Sequence, residues 1–289
     1  MTITYPLLVN ALIVGLLMGG FYAALSVGAT IAFGLLDIVN IAHPTFAVIG
    51  AYAVLVVNRT FNIDPILCGL LLTPVFYAAG MLLYQVYHHF FERCGDDAMR
   101  GLAFFFGLMF IAEVALFGAD FRYVHAPYIT TTWNFGAVAL PLRLGVPFVG
   151  SLLMLVALEL FLKKTFIGRA IVAVAQDPFA LRLVAVSPVR IKRIAFGIAC
   201  ASAALAGAFI IVIEPLQPAV GREFIGRVFA ICVFGGLGSL PGTIVAAASL
   251  GLVENLSTIF VGASWSPAVA FGVLLATLAW RPSGLFGRS

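Results

Sequence analysis

Three polar interruptions in an otherwise apolar chain are the places where chemistry could occur. In Gly34 to Pro44, GLLDIVNIAHP, the residues Asp37, Asn40 and His43 stand three apart, which would put them on one face if the segment were helical. Two readings stay open for this break: a polar turn joining two helices, with His43 satisfied locally, or a stretch in which Asn40 and His43 line or gate a polar route. The second interruption is acidic. Glu254 lies mid-run in SLGLVENLSTIF beside Asn255 and Ser257, and Glu113 lies similarly in FIAEVALF. Acids isolated in apolar segments are costly and face a bundle interior or water. Glu254 is therefore read first as having a structural partner, with contact to a transported solute as the alternative. Glu159 and Glu214 sit nearer helix ends and reach toward headgroups.

The third interruption, Gly235 to Gly242, reads GGLGSLPG. A phosphate-binding loop is excluded, because the segment lacks a GK[ST] ending and a GxGxxG frame from Gly236 puts Pro241 where the last glycine belongs. Followed by Thr243, Ala246, Ala247, Ala248 and Ser249, it reads as a close helix-packing surface built from small residues. One histidine without a second ligand at helical spacing makes metal binding unexpected. No Ser-His-Asp set, paired carboxylates or HExxH occurs at a catalytic spacing. The four cysteines, Cys68, Cys94, Cys200 and Cys232, are scattered singly and read as small hydrophobes. Asn58-Arg59-Thr60 is a formal glycosylation sequon, a motif short enough to arise by chance.

The elements that must position these residues follow from composition. Of 289 residues, 63% are hydrophobic and 10% charged, which excludes a water-soluble globular domain of this size for want of a polar shell. An all-α polytopic membrane bundle remains, since only helices and closed barrels satisfy their backbone in lipid. Charges and prolines divide the chain into apolar runs at roughly 6–33, 41–57, 65–91, 101–118, 144–162, 194–214, 224–236, 241–261 and 264–280. These predict eight to nine full or partial spans in a single transmembrane domain over 1–289, the seventh being too short to cross unless covered by protein. Met1 to Leu36 carries no charge, so it reads as a retained first helix rather than a signal peptide.

Orientation follows from lysine and arginine. Residues 163–193 hold seven basic side chains (Lys163, Lys164, Arg169, Arg182, Arg190, Lys192, Arg193) against one acid, Asp177. Placing this loop in the cytoplasm puts Arg93, Arg100, Arg281 and Arg288 there too. Arg59, Arg122, Arg143, Arg222 and Arg227 are left on or near the outer face, which predicts an outside N-terminus and a cytoplasmic C-terminus. Residues 119–143, with Tyr123, Tyr128, Thr130 to Trp133, Pro127, Gly136 and Pro141, predict a small hairpin at the outer interface. In 163–193, single charges alternate with apolar residues at helical spacing, with Ala170, Ala173, Val174 and Asp177 on one face and Pro178 and Pro188 as punctuation. Such a surface lies on anionic lipid or enters a groove on a cytoplasmic partner. The apolar residues near Leu181, Leu183 and Val184 favour the partner.

Four islands of the chain resemble one family. FYAALSVGATIAFGLLDIVNIAHPTFAVIGAY (21–52), GRAIVAVAQDPFALRL (168–183), FGGLGSLPGTIVAAASLGLVENL (234–256) and RPSGLFG (281–287) are similar, in order, to segments of the permease subunits of branched-chain amino-acid ABC importers, specifically the LivH-like subunit. Two positions depart from its pattern: Pro44 and Thr45 replace a glycine and an acid after the histidine, and Ala185 replaces a customary glycine. The resemblance implies a permease without catalysis of its own, moving a small solute, branched-chain or other amino acids, into the cytoplasm of a bacterium across its inner membrane. It implies no cofactor on this chain, with ATP and Mg on two cytoplasmic ATPase subunits. Further implied partners are a second, LivM-like permease, an extracytoplasmic solute-binding protein that meets the hairpin and the segment from Gln217 to Arg222, and membrane lipid; no nucleic acid is expected. Tyr22, Asn40, His43 and Glu254 are then expected along the translocation pathway, and Gly168, Arg169, Ala173, Asp177, Ala180 and Leu183 in coupling to the ATPase. A proton-coupled secondary transporter using Asp37, His43 or Glu254 is the competing class, and an intramembrane enzyme a weaker third.

Overall fold

The computed structural model describes residues 5–92, 98–117, 123–124, 126–135, 138–281 and 284–286. Arg93, Cys94, Asp120, Arg122, Gly136 and Arg288 lie outside the described residues, as do Pro282, Ser283 and Gly287 of the RPSGLFG island. The order of elements is α1 (Tyr5–Leu36), α2 (His43–Phe61), α3 (Pro65–Phe90), α4 (Ala98–Ala115), a two-stranded hairpin β1 (Thr132–Phe135) and β2 (Val138–Pro141), α5 (Leu142–Lys164), α6 (Phe166–Val174), α7 (Pro178–Leu183), α8 (Pro188–Ile213), α9 (Val220–Gly235), α10 (Leu240–Val261) and α11 (Ser266–Trp280). Six of these helices, α1, α2, α3, α5, α8 and α10, are long and apolar enough to cross a membrane.

Proline and small polar side chains set the helix starts. Asp64 precedes Pro65 and its Oδ1 accepts from the Ile66 N–H at 2.9 Å, while Ser239 Oγ accepts from Gly242 N–H at 3.1 Å ahead of Pro241. Each cap satisfies a donor that the first turn leaves without a partner. Inside α3, Pro74 lacks the N–H that would bond the Leu70 carbonyl. Thr73 Oγ1 donates to that carbonyl instead, at 2.6 Å, so the helix continues.

Two packings organise the bundle. The α1–α10 seam is made of small residues: a Cβ on Gly19 would overlap the Ala248 backbone and one on Gly15 would press on the Gly251 carbonyl. Lipid gives no hydrophobic drive between helices, so such close backbone approach is what holds them. The second packing centres on α8, buried for most of its length through Ala195, Ala199, Ala203 and Ala206 and set against α2 and α3. By contrast α3 and α5 leave Leu67, Leu70, Leu71, Leu152 and Leu153 exposed, as lipid-facing helices do. The hairpin pairs antiparallel with Trp133 opposite Leu140, and Asn10 Oδ1 of α1 accepts from the Ala139 N–H at 3.0 Å, tying the hairpin to the bundle.

The α1–α2 connection corrects one expectation. Residues 37–40 are not helical, so Asp37, Asn40 and His43 do not share a helical face. Asp37 adopts φ 57°, a left-handed conformation that ends α1 and turns the chain.

Candidate functional site

Midway along α1, Tyr22 meets α9 and α10 in a polar cluster inside the apolar bundle. Arg227 of α9 faces Glu254 of α10: Nη2 lies 2.7 Å and Nε 3.2 Å from Oε1. This two-pronged approach uses the guanidinium fork that suits a carboxylate. Tyr22 Oη donates to Glu254 Oε2 at 2.9 Å. The guanidinium also lies 5.8 Å from the Tyr22 ring centre and 5.7 Å from that of Phe224, within cation–π range. The side chains retain 19% (Arg227) and 12% (Glu254) of their exposure, so the pair is neither sealed nor open to bulk water. Glu223, one turn before Arg227, offers its carbonyl to Nη1 at 3.2 Å.

Glu254 thus has the structural partner its position called for. Arg227, read from the sequence only as one of the charges on or near the outer face, is half of an ion pair with Glu254. Its partner is 27 residues away on the next helix, so no local spacing announces the pair. The signal that was present is the burial cost of an arginine in FIGRVFAICVFG, which demands a counter-charge as an acid would. Glu113 likewise pairs with Arg222 at 2.9 Å, and Glu159 with Lys163 at 2.6 Å.

Asn40 and His43 occupy a different face of α1, packed among α1, α2 and α8. Asn40 Oδ1 accepts from Ala42 N–H at 3.1 Å, helping start α2, while its Nδ2 has no partner. His43 is completely buried against Gly28 and Ser202. The Leu25 carbonyl approaches its ring, but neither ring nitrogen makes a well-aligned hydrogen bond. Pro44 fits the first turn of α2, where its missing N–H costs nothing, and buried Thr45 backs onto Gly221 of α9. The four expected pathway residues therefore fall into two pairs, Tyr22 with Glu254 and Asn40 with His43, on separate faces of one helix.

The expected coupling residues lie on and around α6 and α7. Thr165 Oγ1 caps Gly168 N–H at 3.0 Å, and a Cβ on Gly168 would overlap the Phe161 carbonyl and Leu162, so only glycine lets α6 fold back on α5. Asp177 is not on the α6 face with Ala173. It caps α7, accepting from Phe179 and Ala180 N–H at 2.8 and 3.1 Å. Arg169, Ala180 and Leu183 are exposed and Ala173 half-buried, with Phe179 and Val184 also standing out from the surface. Ala185, where the family customarily has glycine, takes φ 60°. Nearby, Glu92 ties α3 to α8, accepting from Lys192 Nζ and Tyr84 Oη at 2.7 and 2.8 Å and lying 2.7 Å from His88 Nδ1. Burial pushes its carboxyl up, but the bonds from Lys192 and His88 outweigh that and hold it below the usual carboxylate range. Among the described residues no group of three or more His, Cys, Asp or Glu is placed to hold a metal.

A bundle of apolar helices long enough to cross a membrane, with a charge pair between α9 and α10 and two short helices at one end, has the layout of a membrane transporter subunit. The chain belongs to the family of branched-chain amino acid transport system permease components, whose sequence profile matches residues 11–278. It is 25% identical to the high-affinity branched-chain amino acid transport system permease protein LivH of Escherichia coli K12, over 95% of this chain and 94% of that one. It is also 25% identical to the BraD permease protein of Pseudomonas aeruginosa, over 96% and 95%. To the LivM permease protein of Salmonella typhimurium it is 29% identical, over 91% of this chain and 67% of that one. No solved structure matches it.

Proposed function

We propose that the chain is the LivH-like permease subunit of an ATP-driven importer that carries a branched-chain or similar amino acid into the bacterial cytoplasm. The observation that carries this reading is the α6–α7 elbow, an exposed apolar and basic surface at one end of a chain that is similar to importer permeases along nearly its whole length. The elbow, within 163–193, faces the cytoplasm, with the N-terminus outside and the C-terminus inside, a placement that leaves five basic residues on or near the outer side against eleven. Two ATPase subunits supply ATP and Mg, a LivM-like permease completes the membrane pair, and a solute-binding protein delivers to the hairpin side.

Phe179, Ala180 and Leu183 enter a cleft on the ATPase, with Arg169 and Asp177 fixing the register. Closure of the ATPase dimer then drags α5 and α8 through the elbow and alternates access. Solute passes on the Tyr22–Glu254 side of α1. Asn40 and His43 act in the exchange between states: a buried group without a partner costs about 1–3 kcal/mol, and a conformation that hydrates or bonds it recovers that cost. In reconstituted vesicles of the whole importer, R169E or D177A keeps ATP hydrolysis while uptake collapses. Unchanged coupling in both would remove the docking assignment.

A further inference from the structure

The Arg227–Glu254 pair has more to it than mutual satisfaction, and its chemistry bears on what passes. Breaking such a pair without replacement leaves a charge unpaired in the bundle. An uncharged solute entering between the two groups compensates neither. A solute with one charge compensates one and strands the other. A solute bearing a cation and an anion a few ångströms apart compensates both, so that every charge is paired before, during and after its passage.

The surroundings match such a guest. Each side chain of the pair keeps a fraction of its surface accessible, so the charges can be reached without unfolding the bundle. Arg227 lies across the rings of Tyr22 and Phe224, and Phe21 packs edge-on to Phe224 at 5.6 Å, so movement of the guanidinium uncovers an aromatic wall beside the charges. Tyr22 Oη stays beside Glu254 as a fixed donor. Glu214, at the end of α8, is a second carboxyl group within electrostatic reach of Arg227. This excess of carboxylates favours a guest that carries an ammonium group over a simple organic anion.

We propose that Arg227 and Glu254 are the solute-reading groups of this permease: the pair opens to take the α-carboxylate of a zwitterionic amino acid on Arg227 and its α-ammonium on Glu254, with an apolar side chain against Phe224 and Tyr22. The assignment rests on the importer reading above and gives that reading its binding groups. It makes the pair a filter for zwitterions inside the membrane, acting after any selection made outside it.

The test uses the complete importer, with both permeases, the ATPases and the binding protein, in vesicles supplied with ATP and radiolabelled leucine. Two double variants separate holding from reading. R227Q/E254Q keeps a hydrogen-bonded pair without charge, and R227E/E254R keeps the ion pair with its polarity reversed. The expected result is that both assemble with their partners and that leucine-loaded binding protein still stimulates their ATP hydrolysis, while leucine uptake falls by ~100-fold, as when a site built for polar recognition meets the wrong complement. Uptake near the wild-type rate in R227E/E254R would show that any ion pair suffices and would overturn the proposal. Failure of R227Q/E254Q to assemble would assign the pair to holding α9 against α10, with the same consequence. Wild-type vesicles that accumulate no leucine would remove the importer reading and this inference with it, whereas active wild type beside an active charge-swap removes this inference alone.

Discussion

The α9–α10 junction and the α1–α2 junction both break the apolar rule of a membrane chain, and they do so in opposite ways. At α9–α10 the polar groups are charged, doubly bonded and partly accessible, and the turn between the helices is built on glycines with positive φ, Gly236 at 94° and Gly238 at 79°. At α1–α2 the polar side chains Asn40 and His43 are sealed from solvent. Asn40 Nδ2 and both nitrogens of His43 are without aligned partners, and the turn uses an aspartate in the left-handed region. The two turns touch, since a Cβ on Gly34 near the end of α1 would overlap the Gly238 backbone. One site is thus complete in this conformation and the other is not. In a protein that must alternate between states, an incomplete site marks a contact that belongs to another state.

The largest expected effect breaks the complete site. Glu254→Ala removes the acid bonded to Arg227 and leaves a guanidinium in an apolar setting, a loss of ~3–5 kcal/mol for a buried pair. A melt of the purified protein in detergent should fall steeply, while Glu254→Gln, which keeps a hydrogen-bond acceptor, falls much less. Equal melting of both variants would show that the charge of Glu254, rather than its hydrogen-bond acceptor, is what holds Arg227. The incomplete site should respond with the opposite sign. His43→Leu replaces a buried ring whose nitrogens lack well-aligned partners with an apolar side chain of similar volume, so the melting temperature should rise by the equivalent of about 1 kcal/mol, within the range for relieving a poorly paired buried group. Uptake should slow because this conformation is now favoured. A lower melting point with normal uptake would make His43 an ordinary packing residue.

How much of this contrast is legible in the chain depends on the range of the interaction. The helices follow from apolar runs and prolines, the hairpin from aromatic and β-branched residues between turn formers, and the α1–α10 seam from its small residues, all local signals. Glu254 announces that it needs a partner because an isolated acid in lipid is expensive. The identity of that partner depends on how α9 rotates against α10, which no local spacing encodes, and Arg227 therefore reads as an end charge. Asn40 and His43 fail for a different reason. A three-residue spacing implies a shared face only while the backbone stays helical, and Asp37 leaves the helix one residue after α1 ends. Ala185, where the resemblance leads one to expect glycine, adopts φ 60°, the left-handed region that glycine enters most easily.

The smallest effect sharpens the comparison at the turns themselves. Asp37 and Gly238 both need positive φ, but Asp37 is exposed and aspartate tolerates the left-handed region better than most residues, whereas Gly238 faces the Gly34 carbonyl. Asp37→Gly relieves a modest strain and loosens the unfolded chain, two terms of opposite sign, so its stability should stay within about 1 kcal/mol of the parent. Gly238→Ala has no such offset. Its methyl would sit 2.7 Å from the Gly34 carbonyl oxygen and would force α1 away from the α9–α10 turn, so its loss should exceed that of Asp37→Gly. Comparing the melts of the two variants decides whether the turns are interchangeable. A Gly238→Ala protein as stable as Asp37→Gly would mean that the contact between the turns yields easily, and the α1–α2 junction could then open without disturbing the ion pair beyond it.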